Sequence, residues 1–236
     1  MHAYSKSVPR SFNCLLNLNF KKMAIVQNPI TGRSSGQFAN AIFQTLVGKN
    51  VLRSKPLEVH NPRTPGQVSQ RTKFSFAVQF LRAFLPIIRI GFKLKAIGQN
   101  AFNACISYNI INSVTGTSPD FAIDYPKLMF ARGSLLKASV AVMDENAIDA
   151  VSISISENCM FNDPAIDDLA YGVFYNVTKN SILNSMGAKK RSDWSVNITP
   201  ELWENGDVVH GWVFYCSPDG TEVSDSVYAG SKTLGV

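Results

Sequence analysis

The sequence predicts an α+β protein: an N-terminal β-hairpin plus helices, followed by an immunoglobulin-like antiparallel β-sandwich. Three observations lead there. A proline-bearing capping signal at residues 64–67 opens a run with helical spacing. From Phe121 onward the apolar period switches to two. The charge changes sign at the same place. Residues 1–119 hold 15 Lys/Arg and a single acid, Glu58, whereas residues 120–236 hold 8 Lys/Arg and 16 Asp/Glu. The expected organisation is a non-native or disordered extension at 1–23, a basic hairpin and helix module at 24–119, and an acidic sandwich at 120–236.

Each element has its own signal. Residues 1–22 carry Lys6, Arg10, Lys21 and Lys22 and no acid. The apolar stretch Cys14–Phe20 is broken by Asn17 and Asn19, so it is too short and polar for a signal sequence. Patterned sequence begins at Ala24-Ile25-Val26, and translation is expected to start at Met23. Residues 24–36 are loop-like, and residues 37–46 with 51–54 read as a hairpin around Val47-Gly48-Lys49-Asn50. Thr64, Pro65 and Gln67 then start a helix expected to run to about Leu85, with Phe74, Val78, Leu81 and Leu85 on its core face. Pro86 ends or kinks it. Residues 87–95 read as a strand or extended segment, residues 99–113 as a second helix, and Thr115–Pro119 as a linker. Seven strands follow, at about 125–131, 137–143, 149–156, 168–178, 193–199, 207–217 and 222–230. Residues 208–216 are apolar on both faces, as a central strand should be. Seven short strands at this spacing suggest the sandwich, although no Cys…Trp…Cys signature accompanies them.

Composition narrows the function classes. A chain of 236 residues, 45% hydrophobic and 17% charged, can bury a substantial core. Disorder, collagen and a disulfide-dense scaffold are excluded. No uninterrupted apolar run is long enough to span a membrane. Cys14, Cys105, Cys159 and Cys216 are scattered, as are His2, His60 and His210, so metal-ligand spacing is absent and buried thiols are expected. No cofactor motif occurs, and none is expected.

The chemical motifs are weak. Gly32-Arg33-Ser34-Ser35-Gly36 matches GxSxG, with Asp207 and His210 later in hydrolase order. Too few residues precede it for a hydrolase sheet, so a Gly/Ser loop is the expectation. Asp163, Asp167 and Asp168 miss the EF-hand spacing. Lys189-Lys190-Arg191 reads as a solvated strand-end cluster, with a phosphate or partner contact as the alternative. Asn176-Val177-Thr178 and Asn197-Ile198-Thr199 are glycosylation sequons. No catalytic set emerges, and a non-enzyme is expected.

The remaining candidate is an anionic-partner contact through Arg71, Lys73, Arg82, Arg89, Lys93 and Lys95, interleaved with Phe74, Phe76 and Phe92. Nucleic acid would reward such charge by counterion release, but phenylalanines on a core face cannot stack on bases. A basic amphipathic helix lying on a membrane surface is a further reading, against an ordinary core helix.

The strings GRSSGQFANAIFQTLVGKNVLRSKP and NPRTPGQVSQRTKF resemble the N-terminal region of an uncharacterised family frequent in Bacteroidetes genomes. KLMFARGSL and VSDSVYAG are similar to its downstream half. NPRT-type segments also resemble small phage and prophage proteins. The resemblance covers about Ala24–Val236 and brings no catalytic residue with it. The expected function is therefore a non-enzymatic structural or assembly protein of phage or mobile-element derivation that binds a protein partner or itself. The alternatives are a nucleic-acid-binding module in residues 24–119 and a secreted surface adhesin.

Overall fold

The computed structural model describes residues 25–26, 34–46, 49–55, 58, 61–147, 150–156 and 164–235. The chain divides into two compact units, Met1–Asn61 and Pro62–Val236. The expected extension lies outside the described residues, as do Cys14, Cys159, Asp163 and, of the GxSxG motif, Gly32 and Arg33; Ser34, Ser35 and Gly36, expected in a Gly/Ser loop, open a strand instead.

The first unit holds one antiparallel sheet in sequential order: β1 (Ile25–Val26), β2 (Ser34–Phe38), β3 (Ala41–Leu46) and β4 (Lys49–Ser54). The predicted hairpin is present as β3 and β4. Its first strand is shorter than expected, because a turn at Ala39-Asn40 separates β2 from β3. Register puts Phe38, Ala41, Phe43 and Leu52 on one face. Phe38 and Leu52 are each 62% exposed.

The second unit begins with α1 (Pro65–Arg82). The Thr64 hydroxyl accepts from the Gln67 backbone N–H at 3.4 Å, as the capping signal requires. Ala77 and Leu81 are buried on α1, whereas Phe74 is 51% exposed. The predicted core stripe therefore starts one turn too early. Residues 87–95 form a helix, not the predicted strand: α2 (Leu85–Gly91) is followed by a short 3-10 turn at Lys93–Lys95. Phe84, Ile87, Ile88, Gly91 and Phe92 are buried at helical intervals, and Pro86 occupies the first turn, where its missing N–H costs nothing. Pro86 thus opens a second helix, bent 93° from α1. The second predicted helix is α3 (Ala101–Asn112), capped by Asn100 Oδ1 accepting from Asn103 N at 2.7 Å.

The predicted linker folds as a hairpin of β5 (Val114–Thr117) and β6 (Asp120–Ile123). The expected boundary at residue 119 falls in its turn, whereas the chain divides between Asn61 and Pro62. The remaining strands are β7 (Ala141–Ala147), β8 (Ala150–Ile155), β9 (Leu169–Asn176), β10 (Ser181–Asn184), β11 (Lys189–Lys190), β12 (Ser195–Ile198), β13 (Val208–Cys216) and β14 (Val227–Thr233). Two antiparallel sheets result. One is five-stranded, in the order β10-β9-β13-β14 with β11 also on β9; the other is three-stranded, in the order β12-β8-β7.

Both faces of the five-stranded sheet are covered. Tyr171, Val173, Tyr175, Trp212 and Phe214 face a core shared with Leu81, Phe84, Ile88 and Cys105 of the helical segment. The alternate residues Ala170, Phe174, Val209, Val213 and Tyr215 face Met143, Ile153 and Val196 of the three-stranded sheet. This explains why β13 is apolar on both faces. Two glycines let the sheets approach. A Cβ at Gly211 would lie 2.5 Å from Met143 Cε, and one at Gly172 would lie 2.6 Å from a methyl of Val196.

Predicted strand 125–131 is not in a sheet. A 3-10 turn at Tyr125–Lys127 leads into an extended segment held largely by side chains. Asn109 Nδ2 donates to Met129 O at 2.8 Å, and Met129 N donates to Asn109 Oδ1 at 2.9 Å. This side-chain amide does the work of a neighbouring strand. On the other side, Phe130 N donates to Ser226 Oγ at 3.0 Å, Ser226 N to Ala131 O at 3.0 Å, and Leu135 N to Val223 O at 3.0 Å. Gly133 N donates to Asp225 Oδ1 at 3.0 Å. A Cβ at Gly91 would collide with Phe130 O, and one at Gly133 with Val223 O.

Candidate functional site

The six predicted contact residues lie on the helical layer but do not form one cluster. Arg71 and Arg82 are eleven positions apart, about three helical turns, and so share a side of α1. Lys73 lies on the opposite side and is partly buried. Arg89 is exposed in the last turn of α2, where its charge suits the helix dipole. Lys95 is exposed, while Lys93 donates to Gly220 O at 2.9 Å and so ties the helical layer to the turn after β13. The ion pairs formed between two described residues lie between Asp124 and Asp207. Arg82, Arg89 and Lys95 therefore present charge that no described carboxylate neutralises.

The other chemistry-bearing side chains are absorbed by packing. Arg191 is buried, not part of a solvated basic cluster as the sequence suggested. It pairs with Asp168 at 3.4 Å, lies 3.8 Å over the Tyr215 ring and donates to Leu136 O. Its neighbour Lys190 pairs with Asp167 at 2.8 Å, which raises the lysine pKa. Asp207 Oδ2 accepts from Asn176 Nδ2 at 2.7 Å and from Glu204 N at 3.1 Å, with Lys179 Nζ at 3.6 Å. Burial pushes this carboxyl up, but these partners outweigh it and its pKa falls below the ordinary value. Asn176 is fully buried with its amide committed to Asp207, so the first sequon cannot be a glycosylation site in the folded chain.

His210 forms no hydrogen bond or ion pair with Asp207, whose partners are Asn176, Glu204 and Lys179. Its Nδ1 is 2.7 Å from Tyr228 Oη, and its ring stacks on Tyr125 at 4.1 Å. Burial lowers its pKa. The GxSxG order thus has no counterpart in geometry at its Asp and His positions. Asp219 accepts from Ser217 Oγ at 2.5 Å and from Thr221 N at 3.0 Å, which holds its pKa at about 2. It closes the β13–β14 turn. Cys105 and Cys216 are free buried thiols, as expected, and burial pushes Cys105 up to about 12. Such a thiol is a poor nucleophile. Among the described residues no group of three His, Cys, Asp or Glu side chains could hold a metal ion.

No single described helix is long and apolar enough to cross a membrane; only the bent pair Pro65–Arg82 with Leu85–Gly91 passes by length and composition. Sequence reasoning missed Asn109 and Arg191. Asn109 was detectable, as a polar residue inside an apolar helical run. Nothing in the local sequence distinguishes Arg191 from Lys189 and Lys190.

These observations define a mixed helix and sheet protein with antiparallel sheets, in which the family-like segments around residues 128–135 and 223–226 bond to each other. The chain belongs to a family of unknown function (DUF6266), whose model matches residues 33–230. No curated protein and no solved structure matches it.

Proposed function

We propose that the chain is a non-enzymatic structural or assembly protein that holds a protein partner, or further copies of itself, through complementary charge. The observation that carries this reading is the segregation of ion pairs. The ion pairs between described residues lie between residues 124 and 207, leaving Arg82, Arg89 and Lys95 of the helical layer without a described carboxylate partner. An anionic protein surface is the fitting counterpart. The two sheets facing each other across Met143 and Val213 support an immunoglobulin-like sandwich as the rigid part, with the helices added on its far face. A phage or mobile-element origin belongs to the same proposal and is supported only by the NPRT-type segment. Light scattering of the full chain at low and high salt tests the reading. A mass above that of one chain at low salt, reduced by Arg82→Glu with Arg89→Glu, is expected. A monodisperse monomer at high concentration at both salts, retained by no protein partner, overturns it.

A second reading is nucleic-acid binding, favoured by the exposure of Phe74 near Arg71 and Lys73, which leaves one ring free to stack. Binding to single-stranded DNA or RNA that weakens steeply with salt would support it; absent or salt-independent binding dismisses it.

A further inference from the structure

The strongest unassigned feature is the open edge of the five-stranded sheet. Strand β10 is an edge strand, paired among the described residues only with β9. Successive residues of a strand point to opposite faces, and β10 has a depression on each. One, of about 450 Å³, lies between Ser181 and Leu183 and a wall formed by Thr199, Glu201, Leu202 and Trp203. The other, of about 280 Å³, lies between Ile182 and the helical layer at Phe76, Phe80 and Ala83. Ile182 borders both. Leu202 is 81% exposed, and Glu201 is exposed without an ion pair among the described residues. A backbone edge unpaired among the described residues and flanked by two largely apolar depressions is the geometry that accepts an added strand, whose alternate side chains enter the two depressions.

The chain carries a strand of matching pattern. β4 is the edge of the first unit's sheet and pairs among the described residues only with β3. Val51 and Arg53 point to one face and Leu52 to the other. Val51 is 40% and Leu52 62% exposed. In a strand added to β10, Arg53 would bring the charge opposite to Glu201 to the face that carries Val51 and Leu202, and Leu52 would turn to the face of the depression beside Ile182.

We propose that β4 of one copy of this chain adds as a strand to β10 of a second copy. This rests on the assembly reading above, names a second copy of the chain as the partner, and uses strand edges distinct from the basic residues of the helical layer. The two surfaces differ, so each copy in a pair keeps one unused edge, and association proceeds to rings or filaments. Exposed edges of this kind are otherwise an aggregation liability, which a dedicated partner strand removes.

Sedimentation velocity of the full chain over a concentration series tests it, with circular dichroism confirming that each variant folds. Leu52→Asp and Leu202→Asp should each weaken association at least tenfold. Mixing these two variants should yield heterodimers and nothing larger, because one retains β10 and the other β4. Glu201→Arg should weaken association, and Arg53→Glu in the same chain should restore it. Assemblies that survive both aspartate variants overturn strand addition while leaving the assembly reading intact. A chain that is monomeric at every concentration overturns self-assembly altogether. Mixtures that form no heterodimer also overturn the proposal.

Discussion

The five-stranded sheet of the second unit and the four-stranded sheet of the first are both antiparallel, but they are built to opposite ends. β9 and β13 are apolar on both faces because helices cover one and a second sheet covers the other. The first sheet places Phe38 and Leu52 on a face that is largely exposed. The first pattern yields an interior with little slack. The second leaves apolar surface for something else to cover.

The contrast can be broken most severely at the close approaches. Gly91→Val or Gly133→Val would drive a side chain into the backbone of Phe130 or Val223, and each is expected to cost more than about 4 kcal/mol, read as loss of cooperative unfolding in urea. Trp212→Ala empties a fully buried site between the sheet and the helices; a loss of about 3–5 kcal/mol by denaturant titration is expected. Asn109→Leu strands the Met129 N–H and C=O without their partner, at about 1–3 kcal/mol each. At the small end, Phe38→Ser in the first sheet should change the stability of the isolated chain by no more than about 0.5 kcal/mol. A loss of several kcal/mol there would show that this face is covered within one chain.

His210 sharpens the comparison by pH. Burial lowers its pKa in the folded chain, so the unfolded chain binds the proton more readily. The stability linked to neutral His210 is complete above the unfolded value of about 6.5 and is lost as pH falls through the lower folded value. The melting temperature should therefore drop less between pH 7 and pH 5 in His210→Phe than in the native chain. Equal slopes would show that the imidazole is solvated.

Helix α1 was legible because its cap and its first proline are local signals, and β13 because an all-apolar strand implies two covered faces. Helix α2 was not, since Ile87-Ile88-Arg89-Ile90 is compatible with either period until Pro86 is counted as a helix opener. Segment 128–131 was illegible as well, because its partners are the side chains of Asn109 and Ser226 and not a strand. The basic residues of the candidate contact were visible as charge, but composition could not show that Lys73 and Arg82 lie on different sides of one helix. The edge strand β10 was missed because its apolar content is only the pair Ile182-Leu183, bounded by Ser181 and Asn184.

Hydrogen exchange of the full chain across a dilution series tests the central contrast most directly. Amides of β9 and β13 should exchange slowly at every concentration. The amides of β4 and β10 that point away from β3 and β9 should exchange fast in dilute solution and become protected as concentration rises. Protection of β4 and β10 that does not change with concentration, whether high or low throughout, would contradict the assignment of these edges to contacts between copies.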